Sequence, residues 1–148
     1  RLMRELKDAK KSTDTDIVLS SDPEQIFKWS AVIRGPGGTP YEGGTFHVTL
    51  RIASDYPMVP PTASFTTKIF HPNVKFDTGE ICLDILKTNW TPMSSVCRAI
   101  QALLSDPEAS SPLNCDAGNL IRAGDMEGFN GLAKYYTICH AGAPAAQW

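Results

Sequence analysis

An α+β fold follows from three features of the 148-residue sequence. The first dozen residues carry a helical apolar stripe, the middle of the chain alternates with a period of two, and the last third returns to helical spacing. One helix, four strands in an antiparallel meander and three C-terminal helices is the expected order. The length suits a single domain, placed here at residues 1–140 with a tail over 141–148. With 42% hydrophobic and 20% charged residues, the composition is that of a folded globular chain and excludes disorder. The apolar runs fall far short of the ~20 residues a membrane helix needs, and no signal-like segment opens the sequence. A soluble, intracellular domain is expected.

In the first helix Leu2, Leu6 and Ala9 share a face, and Arg4, Lys7 and Lys11 lie off it. Residues 1–11 hold five basic and two acidic side chains, a net +3. The whole chain is −2, so the remainder carries −5. This balance gives no reason to expect nucleic acid, whereas a basic helix on an acidic body suits an acidic protein surface. After the break at Ser12 to Asp16, a short strand is expected near Ile17–Leu19. Phe27, Trp29, Ala31 and Ile33 alternate in a second strand, Phe46, Val48, Leu50 and Ile52 in a third, and Ala63–Thr67 supplies the fourth. Gly35-Pro36-Gly37-Gly38 and Gly43-Gly44 provide the turn chemistry that pairs the second and third strands. The prolines of Tyr56-Pro57-Met58-Val59-Pro60-Pro61 exclude a central strand and predict a rigid extended connector.

The C-terminal helices begin with Val96, Ile100, Leu103 and Leu104 on one face, capped by Ser94 or Ser95 and stopped by Asp106-Pro107. Asp116 is expected to cap a short helix carrying Leu120 and Ile121. Asp125 is expected to cap another, with Phe129, Leu132, Tyr136 and Cys139 as its buried stripe.

From Ile69 to Pro92 no period persists, and so long an irregular stretch inside one domain points to function. It holds Cys82, in extended chain, whereas Cys97 and Cys139 fall on or beside apolar helix faces. The four cysteines (Cys82, Cys97, Cys115, Cys139) show neither zinc nor redox spacing. A lone cysteine is more often a packed hydrophobe than a nucleophile. Here Asn73 could supply a donor to a tetrahedral oxyanion, although taken by itself an asparagine in this position is more often a turn residue. His71 could act as a base or as a structural brace. Glu80 and Asp84 flank Cys82 on its own side and would raise a thiol's pKa, which argues against a cysteine peptidase.

These residues also carry a resemblance. Gly35-Pro36 with Pro40-Tyr41-x-Gly43-Gly44, Tyr56-Pro57-x-x-Pro60-Pro61, His71-Pro72-Asn73, Gly79-x-Ile81-Cys82-Leu83-Asp84-Ile85-Leu86 and Trp90-Thr91-Pro92 follow the basic helix in one order. Over essentially its whole length the sequence resembles the ubiquitin-conjugating enzymes. The resemblance implies that Cys82 carries ubiquitin as a thioester and passes it to a substrate. It makes Asn73 the oxyanion donor, with Ser111 facing the active site and Asp84 an acidic position near the incoming lysine. His71 and Pro72 become structural residues at the site. Arg4, Lys7, Met58, Pro92 and Met93 take the positions that meet the activating enzyme and a RING-type ligase. No metal or organic cofactor is implied, ATP being spent earlier by the activating enzyme.

Within the family, the longer spacing from His71 to Cys82 and the segment from Ser111 to Arg122 are similar to the peroxisomal members of yeasts. That similarity implies ubiquitination of the peroxisomal import receptor in the service of protein transport. It also implies recruitment by a membrane-anchored peroxin partner, which Ile121, Met126 and Tyr135 are expected to bind. Work on the cytosolic face of the peroxisomal membrane follows, and Gln147-Trp148 is no import signal. Two departures stand out: Met58 replaces the usual phenylalanine, and the loop after Pro92 is a few residues short and lacks a second tryptophan. A non-catalytic ubiquitin-binding adaptor of the same fold and a conjugating enzyme of another pathway are the competing readings.

Overall fold

In the computed structural model, residues 2–12, 14–21, 24–81 and 93–145 are described. The elements run α1 (Leu2–Lys11), β1 (Ile17–Ser21), β2 (Lys28–Arg34), β3 (Thr45–Arg51), β4 (Thr62–Phe65), α2 (Met93–Ser105), α3 (Cys115–Arg122) and α4 (Met126–Ala141). The four strands form one antiparallel sheet in sequence order. Register is fixed by alternation: Trp29 faces Leu50, Ala31 faces Val48 and Ile33 faces Phe46. All six are buried, and a slip by one residue would turn every one of them to solvent. Phe27, expected in β2, instead lies half-exposed just before it.

α2 closes the core over this sheet with Val96, Cys97, Ile100, Leu103 and Leu104. The helix starts one residue before the serines expected to cap it, and its first N–H is taken by a side chain of α1. Asn114, not Asp116, caps α3: its side chain accepts from the Ala117 N–H. Asp125 caps α4 as its position suggests, accepting from Gly128 N–H at 2.8 Å.

The buried stripe of α4 is Phe129, Ala133, Thr137 and Ala141. Leu132 and Cys139, expected on that stripe, are exposed. The reason lies at Gly44, where an added Cβ would sit 2.6 Å from the Thr137 methyl and 3.1 Å from the Ala141 Cβ. The helix approaches the chain so closely there that only small side chains fit between them. Ala141 and Ala143, placed in the tail by the sequence, are both buried. The Tyr56–Pro61 connector is turned rather than extended in its first half: Met58 N–H bonds to the Asp55 carbonyl, and the Tyr56–Pro57 peptide is cis.

Candidate active site

The irregular segment after β4 is held tightly although it has no regular structure. Ile69, Phe70 and Val74 are buried, and the Tyr41 hydroxyl donates to the Phe70 carbonyl at 2.7 Å. His71 is fully buried with both ring nitrogens engaged. Nε2 lies 2.7 Å from the Leu103 carbonyl, near the end of α2, and Nδ1 accepts from the Asn73 N–H at 3.0 Å. A carbonyl only accepts, so Nε2 carries the proton and the ring is neutral. Burial lowers its pKa to about 4, against a smaller opposing effect of the Leu103 bond. A ring so committed braces the segment and does not serve as a general base.

Asn73 is buried as well. Its Nδ2 donates to the Glu108 carbonyl at 2.7 Å, and its Oδ1 accepts from the Glu108 N–H at 2.9 Å. The amide thus pairs with one backbone residue at two points, as a neighbouring strand would. Pro72 completes the bracket, its carbonyl accepting from the N–H groups of Leu113 and Asn114 at 2.8 and 3.1 Å. Between those two anchors, at Glu108 and Leu113, sits Ser111, which is exposed. Three consecutive residues therefore hold the end of α2 and the loop that presents Ser111.

The chain is pinned a second time just before residue 82. Val74 and Ile81 form an antiparallel bridge, Ser64 and Glu80 another, and the Ile81 N–H donates to the Ala63 carbonyl at 3.1 Å. Gly79 makes this return possible. Its φ is +78°, and a Cβ there would lie 1.9 Å from the Phe65 carbonyl oxygen. The strand edge that ends at the residue before Cys82 is thus paired with Val74, the residue that follows the 71–73 bracket. Cys82, Asp84 and Pro92 themselves lie outside the described residues.

Among the other cysteines, Cys97 is buried and its thiol is pushed up to about 12 by that burial, which makes it inert as a nucleophile at neutral pH. Cys115 and Cys139 are exposed. Arg4 and Lys7 are exposed on α1, and Met58 is 83% exposed. Met93 departs from expectation: its side chain is wholly buried in the core, because the residue opens α2 on its inward face, so it is no part of a contact surface. Ile121 is half-buried, whereas Met126 and Tyr135 are exposed.

Two structural roles were not legible in advance, one at the site and one outside it. Glu108 acts through its backbone, which leaves no mark on residue type. Glu5 is a buried carboxylate, and its position between Leu2 and Leu6 on the apolar face of α1 is the signal that could have exposed it.

A family model for the ubiquitin-conjugating enzyme matches residues 1–137. The chain belongs to the ubiquitin-conjugating enzyme family. Members are transferases that work through a thioester intermediate, and this conjugating enzyme is one of them. It is 56% identical to Protein PEROXIN-4 of Arabidopsis thaliana over 142 residues, covering 93% of this chain and 90% of the relative. It is 54% identical to the ubiquitin-conjugating enzyme E2 pex4 of Dictyostelium discoideum over 141 residues, covering 93% and 95%. The solved structure of a ubiquitin-conjugating enzyme described as putative, from Plasmodium yoelii, superposes with a TM-score of 0.86 at 39% identity, covering 97% of this chain and 95% of that one. The helix, four-stranded meander and C-terminal helices are therefore the conjugating-enzyme fold.

Proposed function

We propose that Cys82 is the residue on which this conjugating enzyme carries ubiquitin, and that it serves the peroxisome. The observation that supports Cys82 is the anchoring of the chain that leads to it, by pairing of Ile81 with Val74 and Ala63 beside the 71–73 bracket, on a fold whose family chemistry needs one placed thiol. In the first step the Cys82 sulfur attacks the carbonyl of ubiquitin's C-terminal glycine, held as a thioester on the activating enzyme, whose thiol departs. In the second an acceptor nucleophile attacks the new thioester, and the Cys82 thiolate leaves. The second step, transfer to the acceptor, passes through the oxyanion that this enzyme itself must stabilise. Asn73 has one amide hydrogen besides the one given to Glu108, and this is the donor that the oxyanion role calls on. Asp84 attends the incoming amine, and Ser111 borders the site.

Arg4, Lys7 and Met58 are exposed as docking to the activating enzyme and a RING-type ligase requires. The peroxisomal role is supported by the names of the two relatives, PEROXIN-4 and pex4; the substrate in this reading is the peroxisomal import receptor. No helix among the described residues is long and apolar enough to cross a membrane. The membrane-anchored peroxin partner is assigned to the face bearing Ile121, Met126 and Tyr135, where apolar side chains meet solvent. Competition between that partner and the activating enzyme would contradict this placement.

The test of the carrier residue is charging by activating enzyme, ubiquitin and ATP. Cys82→Ser is expected to lose the reducible thioester and accumulate an oxyester that survives thiol, while Cys97→Ser, Cys115→Ser and Cys139→Ser still charge. Loss of charging in one of the latter three, folded, with thioester retained in Cys82→Ser, overturns it.

A further inference from the structure

The buried carboxylate of Glu5 plays no part in the chemistry above. It is 8% exposed, on a helix whose neighbouring Arg4 and Lys7 face solvent. Its Oε1 accepts from the Met93 N–H at 2.6 Å, the first orphan donor of α2. The Tyr56 hydroxyl lies 3.2 and 3.1 Å from its two oxygens. Tyr56 precedes Met58 by two residues in the turned loop, and Met93 opens the helix that follows residues 82–92. One side chain therefore joins α1, the Met58 loop and the start of α2.

Helix α1 needs such a joint. Most of a helix's stability inside a protein comes from packing of its apolar face, so the placement of α1 comes from tertiary contacts. Leu6, buried, and Leu2, half-buried, decide which side faces the core, but apolar contact is not directional and leaves the helix free to roll. Hydrogen bonds to a buried charge are directional and strong. A roll of α1 would change the direction in which Arg4 and Lys7 project relative to the Met58 loop, which Glu5 meets through Tyr56.

We propose that Glu5 is a positioning residue that locks α1 to the Met58 loop and to α2, so that Arg4, Lys7 and Met58 form one preset docking face for the activating enzyme. This rests on the reading of Arg4 and Lys7 as activating-enzyme contacts. Preset geometry lowers the ordering cost of association, so its loss falls on binding and not on the thioester chemistry.

The experiment measures initial rates of charging by ubiquitin-activating enzyme, with ubiquitin and ATP saturating and the concentration of this protein varied. Glu5→Ala is expected to raise KM about tenfold, the loss of roughly one charge-assisted hydrogen bond. Both kcat and discharge of the preformed thioester to free lysine should be unchanged. Glu5→Gln keeps an oxygen for the Met93 N–H and should restore most of the affinity. Tyr56→Phe removes a single donor and should give a smaller rise in KM; if Glu5→Ala does not fold, this variant decides. Unchanged KM in the deciding variant overturns the proposal, as does a parallel fall in charging kcat and lysine discharge. Lys7→Glu separates the two ideas. If it raises KM while the deciding variant does not, only the Glu5 inference fails; if it has no effect, the docking face and the inference fail together.

Discussion

The segment from His71 to Asn73 and the outer face of α4 invert the usual distribution of side chains in opposite ways. In the first, an imidazole and a carboxamide are buried, and each is tied to backbone groups. In the second, Met126, Leu132 and Tyr135 are 45%, 42% and 52% exposed, while after Phe129 the helix buries only alanine and threonine on its other side. Burying polar groups costs stability unless each is paired, and the pairing here also fixes where two loops go. Leaving large apolar groups in water forgoes stabilisation without fixing anything inside the molecule. The contrast teaches that the first region is organised by its own fold, whereas the second fits our assignment of a partner surface.

The largest effect should come from breaking the buried region. His71→Ala leaves the Leu103 carbonyl and the Asn73 N–H unpaired beside a cavity, and is expected to cost about 3 kcal/mol in urea unfolding. The same ring predicts a pH dependence. Its folded pKa is about 4 against 6.5 unfolded, so the unfolded chain takes up the proton first. The contribution is fully present well above pH 6.5 and is lost as pH falls from 6.5 towards 4, at a slope approaching about 1.4 kcal/mol per pH unit in the middle of that window. Comparing urea midpoints at pH 7 and pH 5 for the wild type and for His71→Gln checks it: the difference should shrink in the variant.

Asn73→Ala sharpens the comparison, because it removes both the Glu108 pairing and the donor assigned to the oxyanion. Transfer from the charged enzyme to lysine should slow by roughly 10²-fold, with charging largely intact. Equal loss in both steps would make the Glu108 pairing its whole role. The smallest effects should come from α4. Tyr135→Ala and Met126→Ala are expected to shift stability by no more than about 0.5 kcal/mol, as exposed positions do. A loss of 2 kcal/mol or more in thermal unfolding would mean that these side chains belong to the fold, and would dissolve the contrast.

The sheet could be read directly from the sequence, because strand alternation has a period of two and only one phase buries Trp29, Ala31, Ile33, Phe46, Val48 and Leu50 together. The face of α2 was legible for a similar reason, its apolar residues forming a single stripe. The stripe of α4 was not. Phe129 begins two overlapping rows, one through Leu132 and Tyr136 and one through Ala133 and Thr137, and hydrophobicity favours the first. The close approach at Gly44 chose the second, since at that distance only small side chains pack, and no local pattern reveals the distance. Asn114 displaced Asp116 as the cap of α3 for a comparable reason: either residue type can cap, and the Pro72 carbonyl, holding the Leu113 and Asn114 N–H groups, decided where the helix begins. The types and order of the site residues from His71 to Cys82 stand in the sequence, and with them the family. What His71, Asn73 and Glu5 do was decided by tertiary structure, because their partners are backbone groups or residues 32, 35 and 88 positions away. A backbone N–H or carbonyl is the same in every residue that could have stood there.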